Sequence, residues 1–147
     1  MSSTVGSLHP TVEDRLRRVG QRYTASRRSL VEVLSVANGP LSIADLLAVT
    51  SEVPQSSAYR NLAVLEEADV VRRVITEDDF ARFELDEGLT EHHHHLVCSN
   101  CGRVEDVEIP DTFERSIDRT LERLARDAGF ATIGHRLDLI GKCRSCA

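Results

Sequence analysis

Apolar residues recur along this chain with two periods, and the alternation between them predicts its elements. Val12, Leu16 and Val19 fall at helical spacing and predict a short first helix ending near Gly20. Leu30, Val33, Leu34 and Ala37 predict a second, with Ser26 as its cap and Asn38-Gly39-Pro40 as its stop. Ser42 is placed to start a third helix that turns Ile43, Leu46 and Leu47 inward. A fourth opens at Pro54 or Ser56 and buries Ala58, Leu62 and Leu65. That leaves Ser56, Arg60 and Ala63 outward, with Ser57 and Tyr59 on the flanks. The period then drops to two: Val70 to Ile75, an acidic turn at Glu77-Asp78-Asp79, and Phe80 to Leu85 predict a hairpin. Helices followed by a hairpin predict a winged helix-turn-helix, whose last helix offers hydroxyls, a tyrosine and an arginine to a major groove.

Beyond residue 86 the pattern changes. Asp86-Glu87-Gly88 reads as a hinge, dividing a domain over 1–86 from one over 87–147. Residues 93–97 and Val104 to Ile109 predict strands, and Pro110 with Asp111 introduces a helix carrying Phe113, Ile117, Leu121, Leu124 and Ala128 up to Gly129. A last alternating strand runs through Ala131, Ile133, His135, Leu137 and Leu139. The fold class expected is therefore α+β.

The length of 147 residues suits two small domains, each below the size at which an apolar core alone is comfortable. No signal peptide and no membrane span is legible, so a cytoplasmic protein is expected. The net charge of −6 is unevenly spread: residues 1–75 carry nine Arg against eight acids, and residues 76–147 nine Lys or Arg against sixteen. Six arginines (Arg15, Arg17, Arg18, Arg22, Arg27 and Arg28) lie within 15–28 with no acid among them. Such a cluster is either a solvated face or a phosphate-binding one.

The four cysteines form two C-x-x-C units, Cys98/Cys101 and Cys143/Cys146, separated by 41 residues. Two such knuckles complete a closed tetrahedral zinc site, a structural Zn2+. Disulfides are the weaker reading, because a two-residue spacer strains the ring and nothing points to export. Directly before the first knuckle stand His92, His93, His94 and His95. A purification tag lies at a terminus, and this tract is internal. If it is extended, His93 and His95 face one way and His92 and His94 the other, so one strand can serve two sites. Glu84 and Asp106 are the nearby carboxylates. Two imidazoles with two carboxylates suit Fe(II), Mn(II) or Zn(II), and ions bound across a hinge suggest a switch rather than a catalyst.

Taken together, Ser57-Ala58-Tyr59-Arg60-Asn61-Leu62, Arg82-Phe83-Glu84-Leu85, His92 to His95 with Leu96-Val97-Cys98 and Cys101-Gly102, and Gly141-Lys142-Cys143 with Cys146 resemble the ferric uptake regulator (Fur) family of bacterial metal-responsive repressors. The resemblance spans roughly Gly20 to Cys146. It implies a homodimer with N-terminal winged-helix domains and C-terminal α/β dimerisation domains, which binds a palindromic double-stranded DNA operator when loaded with metal, iron or zinc foremost. Membrane and small-molecule substrate have no place in that picture. Position by position it implies Cys98, Cys101, Cys143 and Cys146 as structural zinc ligands. Glu84, His93, His95 and Asp106 become the regulatory set, taking Fe2+ or Zn2+. His92, His94 and His135 become an additional site whose acidic member is Asp118 by spacing to Gly129 and His135, or Glu114 by counting from the helix start. Tyr59 and Arg60 match DNA-contacting positions, as does Arg22, with Ser56 and Ser57 beside them. One departure stands out: where many members place a further hinge histidine, this chain has Pro40, and His9 is the candidate substitute.

Two other function classes remain expressible. A zinc-dependent hydrolase would need an open coordination position and a proton-shuttling glutamate, but H-x-E paired with P-C-x-x-C is absent and four cysteines close their own shell. A metal store would bind metal and ignore DNA. The reading carried forward is a non-enzymatic repressor.

Overall fold

A computed structural model describes residues 2–76 and 80–147; the expected acidic turn at Glu77-Asp78-Asp79 lies outside the described residues. The chain forms two compact units, Met1–Glu91 and His92–Ala147.

The first unit begins with α1 (Ser2–Arg18), longer than the apolar spacing predicts because it continues N-terminally through Pro10. Its end is as expected: Gly20 adopts φ +74°, and the Gln21 N–H returns to the Leu16 carbonyl at 2.9 Å. Helix α2 (Ala25–Val36) is capped by Thr24 rather than Ser26; the Thr24 hydroxyl accepts the Arg27 N–H at 3.3 Å. A two-residue strand β1 (Leu41–Ser42) leads into α3 (Ile43–Val49), where Ser42 and Asp45 make a reciprocal capping box, each bond 3.1 Å. Helix α4 (Gln55–Glu67) starts after Pro54 and buries Ala58, Leu62 and Leu65 as its spacing predicts. It ends on Asp69, a non-glycine residue at φ 59°, and the Val70 N–H closes back on the Leu65 carbonyl at 2.9 Å.

Strands β2 (Val71–Val74) and β3 (Arg82–Leu85) then pair antiparallel, Val71 opposite Leu85 and Arg72 opposite Glu84. Strand β1 adds to the other edge of β3, giving the order β1-β3-β2. A two-residue strand is too short to carry a period, so the sequence gives no sign of β1. The core joins Leu16, Leu30, Leu46, Leu62, Leu65 and Phe83. The expected hinge, Asp86-Glu87-Gly88, belongs to this unit. Asp86 accepts the Gly88 N–H at 3.0 Å and lies 3.1 Å from the Arg15 guanidinium, and a Cβ on Gly88 would meet Arg15 Nη2 at 2.8 Å. The two units divide a few residues later, between Glu91 and His92.

In the second unit β4 (His94–Cys98) is central, antiparallel to β5 (Val104–Val107) and parallel to β6 (Asp138–Gly141). The long final strand expected from Ala131 is ladder-paired only from Asp138; residues 131–137 are irregular. Helix α5 (Asp111–Asp127) follows its predicted limits, ending at Gly129 with φ +77°. None of its residues is buried, and Phe113, Leu121 and Leu124 of its apolar stripe are exposed. Ile133, Leu139 and Ile140 are exposed too. Among the described residues, no helix is long and apolar enough to cross a membrane.

Because Ser42 satisfies an orphan N–H of α3 and anchors β1 as well, Ser42→Ala is expected to cost about 0.5–2 kcal/mol. Urea denaturation of the two proteins compares them directly; a loss within error would mean that the Asp45 half of the box suffices.

Candidate metal centres

Strand register builds the first centre. Cys98 is the last residue of β4 and pairs with Gly141 of β6, two positions before Cys143. The Ser99 N–H donates to the Gly141 carbonyl at 2.7 Å, so the second knuckle lands on the first. Between Cys98 and Cys101 the chain turns tightly, with Gly102 at φ +77° and its N–H on the Cys98 carbonyl at 3.0 Å. The four cysteines are free thiols whose sulfurs lie within 4.8 Å of one another. Cys101 Sγ and Cys143 Sγ are 3.7 Å apart. Four sulfurs held at about 2.3 Å around one tetrahedral ion would stand about 3.8 Å apart.

The electrostatics of the cluster point the same way. The backbone N–H groups of Cys101 and Cys143 donate to Cys98 Sγ at 3.5 and 3.3 Å and, against burial, bring the Cys98 thiol from 9.0 down to about 6. Cys101 responds oppositely. The Arg103 N–H acts to lower it, but the neighbouring sulfur of Cys98, burial, and then Cys143 and Cys146 together push it up to about 11. One thiolate forms easily and makes the next expensive. Only an added cation lets all four ionise, so the donor set fits zinc.

The second centre is gathered around α5. Glu114 lies one turn into that helix, and its carboxylate meets His92 Nε2 and His94 Nε2 at 2.8 Å each and His135 Nε2 at 2.6 Å. His94 is fully buried, and the four ligand atoms fall within 4.8 Å of one another. His135 Nε2 is buried and, despite its closeness to Glu114, has no partner at hydrogen-bonding angles. Nitrogen and carboxylate thus lie close together without a hydrogen bond between them, an arrangement that suits two ligands of one ion. Burial opposes the charge on Glu114, but bonds from His94 and then His92 hold its carboxyl below the ordinary range. The carboxylate that converges with these three imidazoles is that of Glu114; Asp118, the residue favoured by spacing to Gly129 and His135, meets only His135 of the three. Asp118 lies one turn further along the same face, its Oδ1 3.0 Å from the opposite nitrogen of His135, Nδ1.

A third set shares β4. His93 Nε2 and His95 Nε2 are each 3.6 Å from Asp106 Oδ1, and the register that pairs His95 with Asp106 on β5 and with Asp138 on β6 explains why. Asp138 Oδ1 reaches His95 Nδ1 at 3.5 Å, a contact for which sequence spacing gives no signal. The alternation of histidines is as expected: 93 and 95 serve one set, 92 and 94 the other. Glu84, assigned to the regulatory set from sequence, is a residue of the first unit, buried in β3, with Arg72 Nε donating to its Oε1 at 2.6 Å. His9 is engaged inside the first unit as well, Nδ1 on the Tyr23 hydroxyl at 2.6 Å and Nε2 3.5 Å from Glu32.

On α4, Ser56, Tyr59 and Arg60 are exposed, while the Ser57 hydroxyl donates to the Pro54 carbonyl at 3.1 Å and secures the helix start. The six-arginine stretch is not one basic face. Arg15 reaches Asp86, Arg17 and Arg18 pair with Glu13 and Asp14 a turn back, Arg27 bonds Asn61 and Gln21, and Arg28 lies over the Tyr23 ring. Arg22 remains exposed, with no acidic partner among the described residues.

Comparison with known proteins places these features. Residues 18–140 match the model of the ferric uptake regulator family. The chain is 35% identical over 133 residues to the ferric uptake regulation protein of Cupriavidus metallidurans, covering 87% of this chain and 88% of that protein. It is 29% identical to the peroxide operon regulator of Bacillus subtilis, over 90% of this chain and 88% of the relative. Among solved structures, the Vibrio cholerae ferric uptake regulator superposes with a TM-score of 0.69 at 28% identity, covering 89% of this chain and 98% of its own.

A thiol lowered from 9.0 to about 6 favours the folded, ionised form fully above the ordinary thiol value and loses that advantage as the pH falls through about 6. Because zinc competes with protons for all four thiolates, it is expected to stay bound at pH 7 and to be released progressively on acidification. A chromophoric chelator reads this directly, and zinc lost already near neutrality would contradict it.

Proposed function

The chain belongs to the ferric uptake regulator family of metal-responsive, DNA-binding transcriptional repressors, and we propose that it reads a palindromic operator as a homodimer whose histidine centres take Fe2+ or Zn2+. One observation carries this reading: a single strand, β4, feeds a closed thiolate centre at one end and two open imidazole-carboxylate sets at the other. The thiolate set holds its ion with no position left for substrate, and members of the family are transcription factors rather than enzymes.

The regulatory ligands are Glu84, His93, His95 and Asp106. Support for Glu84 comes from the Arg82-Phe83-Glu84-Leu85 motif, and for the other three from their convergence within the second unit. An ion there supplies positive charge that imidazoles and carboxylates from different parts of the chain share. His92, His94, Glu114 and His135 form the additional set. Arg22, Ser56, Tyr59 and Arg60 meet the DNA, with Ser57 holding the first turn of the reading helix. The exposed stripe of α5 and the free edge of β6 supply the surface on which two copies join: Phe113, Leu121, Leu124, Leu139 and Ile140 are apolar and at least 37% exposed.

The decisive experiment titrates operator duplex with zinc-replete protein, with and without added Fe2+, Zn2+ or Mn2+, by fluorescence anisotropy. Metal is expected to tighten binding. His93→Ala with His95→Ala abolishes that response and leaves a folded dimer, whereas Cys98→Ser unfolds the second unit and the dimer with it. Equal operator affinity with and without added metal would rule the reading out.

Leu121→Glu with Leu124→Glu places two carboxylates in the joining surface. Sedimentation velocity is expected to show monomer with zinc content unchanged; a persistent dimer would move the interface elsewhere.

A further inference from the structure

Glu114 and Asp118 sit one helical turn apart on the same face of α5, yet they meet opposite edges of His135. Glu114 lies on the Nε2 side, where His92 Nε2 and His94 Nε2 also converge. Asp118 Oδ1 lies 3.0 Å from Nδ1. The two nitrogens of an imidazole point apart, so an ion at about 2.1 Å from Nε2 is out of reach of a carboxylate lying beside Nδ1. We infer that Asp118 is a positioning residue for the His92, His94, Glu114 and His135 centre, acting through the His135 ring, a role that rests on this centre being a metal site as proposed.

The chemistry follows from the donor inventory. A neutral imidazole carries one N–H and one lone pair, and a carboxylate can only accept. An Nδ1–H directed at Asp118, whose Oδ1 lies 3.0 Å away, would leave the lone pair on Nε2, the nitrogen that is buried beside Glu114. That contact would set the orientation of the ring before any ion arrives. His135 needs such a brace more than His94 does. His94 stands on a paired strand, while His135 stands in the irregular stretch between α5 and β6, where no ladder fixes it. Asp118 is about half exposed, so its carboxylate is solvated on one side and available to orient the ring without itself requiring a second partner. Outer partners of this kind are worth about 10–100-fold in metal affinity.

The test uses full-length, zinc-replete dimer carrying His93→Ala and His95→Ala, so that only this centre takes added Co2+. Affinity is read by competition with a chromophoric chelator, and ligand geometry by the visible cobalt bands. Asp118→Ala is expected to weaken Co2+ binding about 10–100-fold with the bands unchanged. Asp118→Asn, whose side-chain carbonyl still accepts from Nδ1–H, recovers most of the loss, which a merely structural contribution to α5 would not predict. Glu114→Ala removes the bands altogether. Asp118→Ala without effect on affinity would overturn the positioning role, and so would Asp118→Asn as weak as Asp118→Ala. If Asp118→Ala abolishes the bands as Glu114→Ala does, Asp118 is a ligand and the inference is wrong. Absence of any cobalt spectrum in the Asp118-containing parent would remove the centre itself, and Asp118's role with it.

Discussion

Mutual repulsion among ionised sulfurs is the constraint on which the second unit is built. Cys98 gives up its proton readily because two backbone N–H groups face it, whereas the Cys98 sulfur, burial and the sulfurs of Cys143 and Cys146 together push the Cys101 thiol up to about 11. The cluster is therefore incomplete as a set of thiols and complete only around a cation. Little else fixes this unit: it has a three-stranded sheet, one helix with no buried residue, and few core side chains beyond Val97 and Val104. A core this small needs an added crosslink, and the parallel pairing of β4 with β6 delivers both knuckles to the place where one can form.

The same strand explains how two further sets draw on one histidine tract without sharing ligands. Alternation sends His93 and His95 toward Asp106 and sends His92 and His94 toward Glu114. A one-residue slip of β4 would trade the two groups and unpair Cys98 from Gly141 together, so register, structural ion and histidine assignment stand or fall as one.

Much of this is legible in the chain. Where the apolar period is long, as in α4 and α5, limits and buried faces follow from spacing, and C-x-x-C pairs announce their chemistry by spacing alone. The failures have separate causes. Thr24 rather than Ser26 caps α2 because either hydroxyl satisfies the pattern and only backbone geometry decides. Alternation through Ala131 to Leu137 mimics a strand, but without a partner strand no ladder forms. Glu114 and Asp118 cannot be separated by counting, since i and i+4 share a helical face; in the structure they lie beside different nitrogens of the His135 ring. The arginine cluster misleads because charges counted along a sequence ignore acids brought near by a helical turn, as Glu13 and Asp14 are.

Arg15 bridges the end of α1, the carbonyl of Asp69 behind α4, and the carboxylate of Asp86. A single guanidinium thus fastens the chain's opening segment to the residues that lead out of the first unit. Shortening the protein from its amino terminus past this point would sever the tether on the exit segment as well as remove apolar cover from the core. Deletion variants made to trim the leading helix would accordingly disturb the approach to the histidine tract, although the tract itself lies far along the sequence.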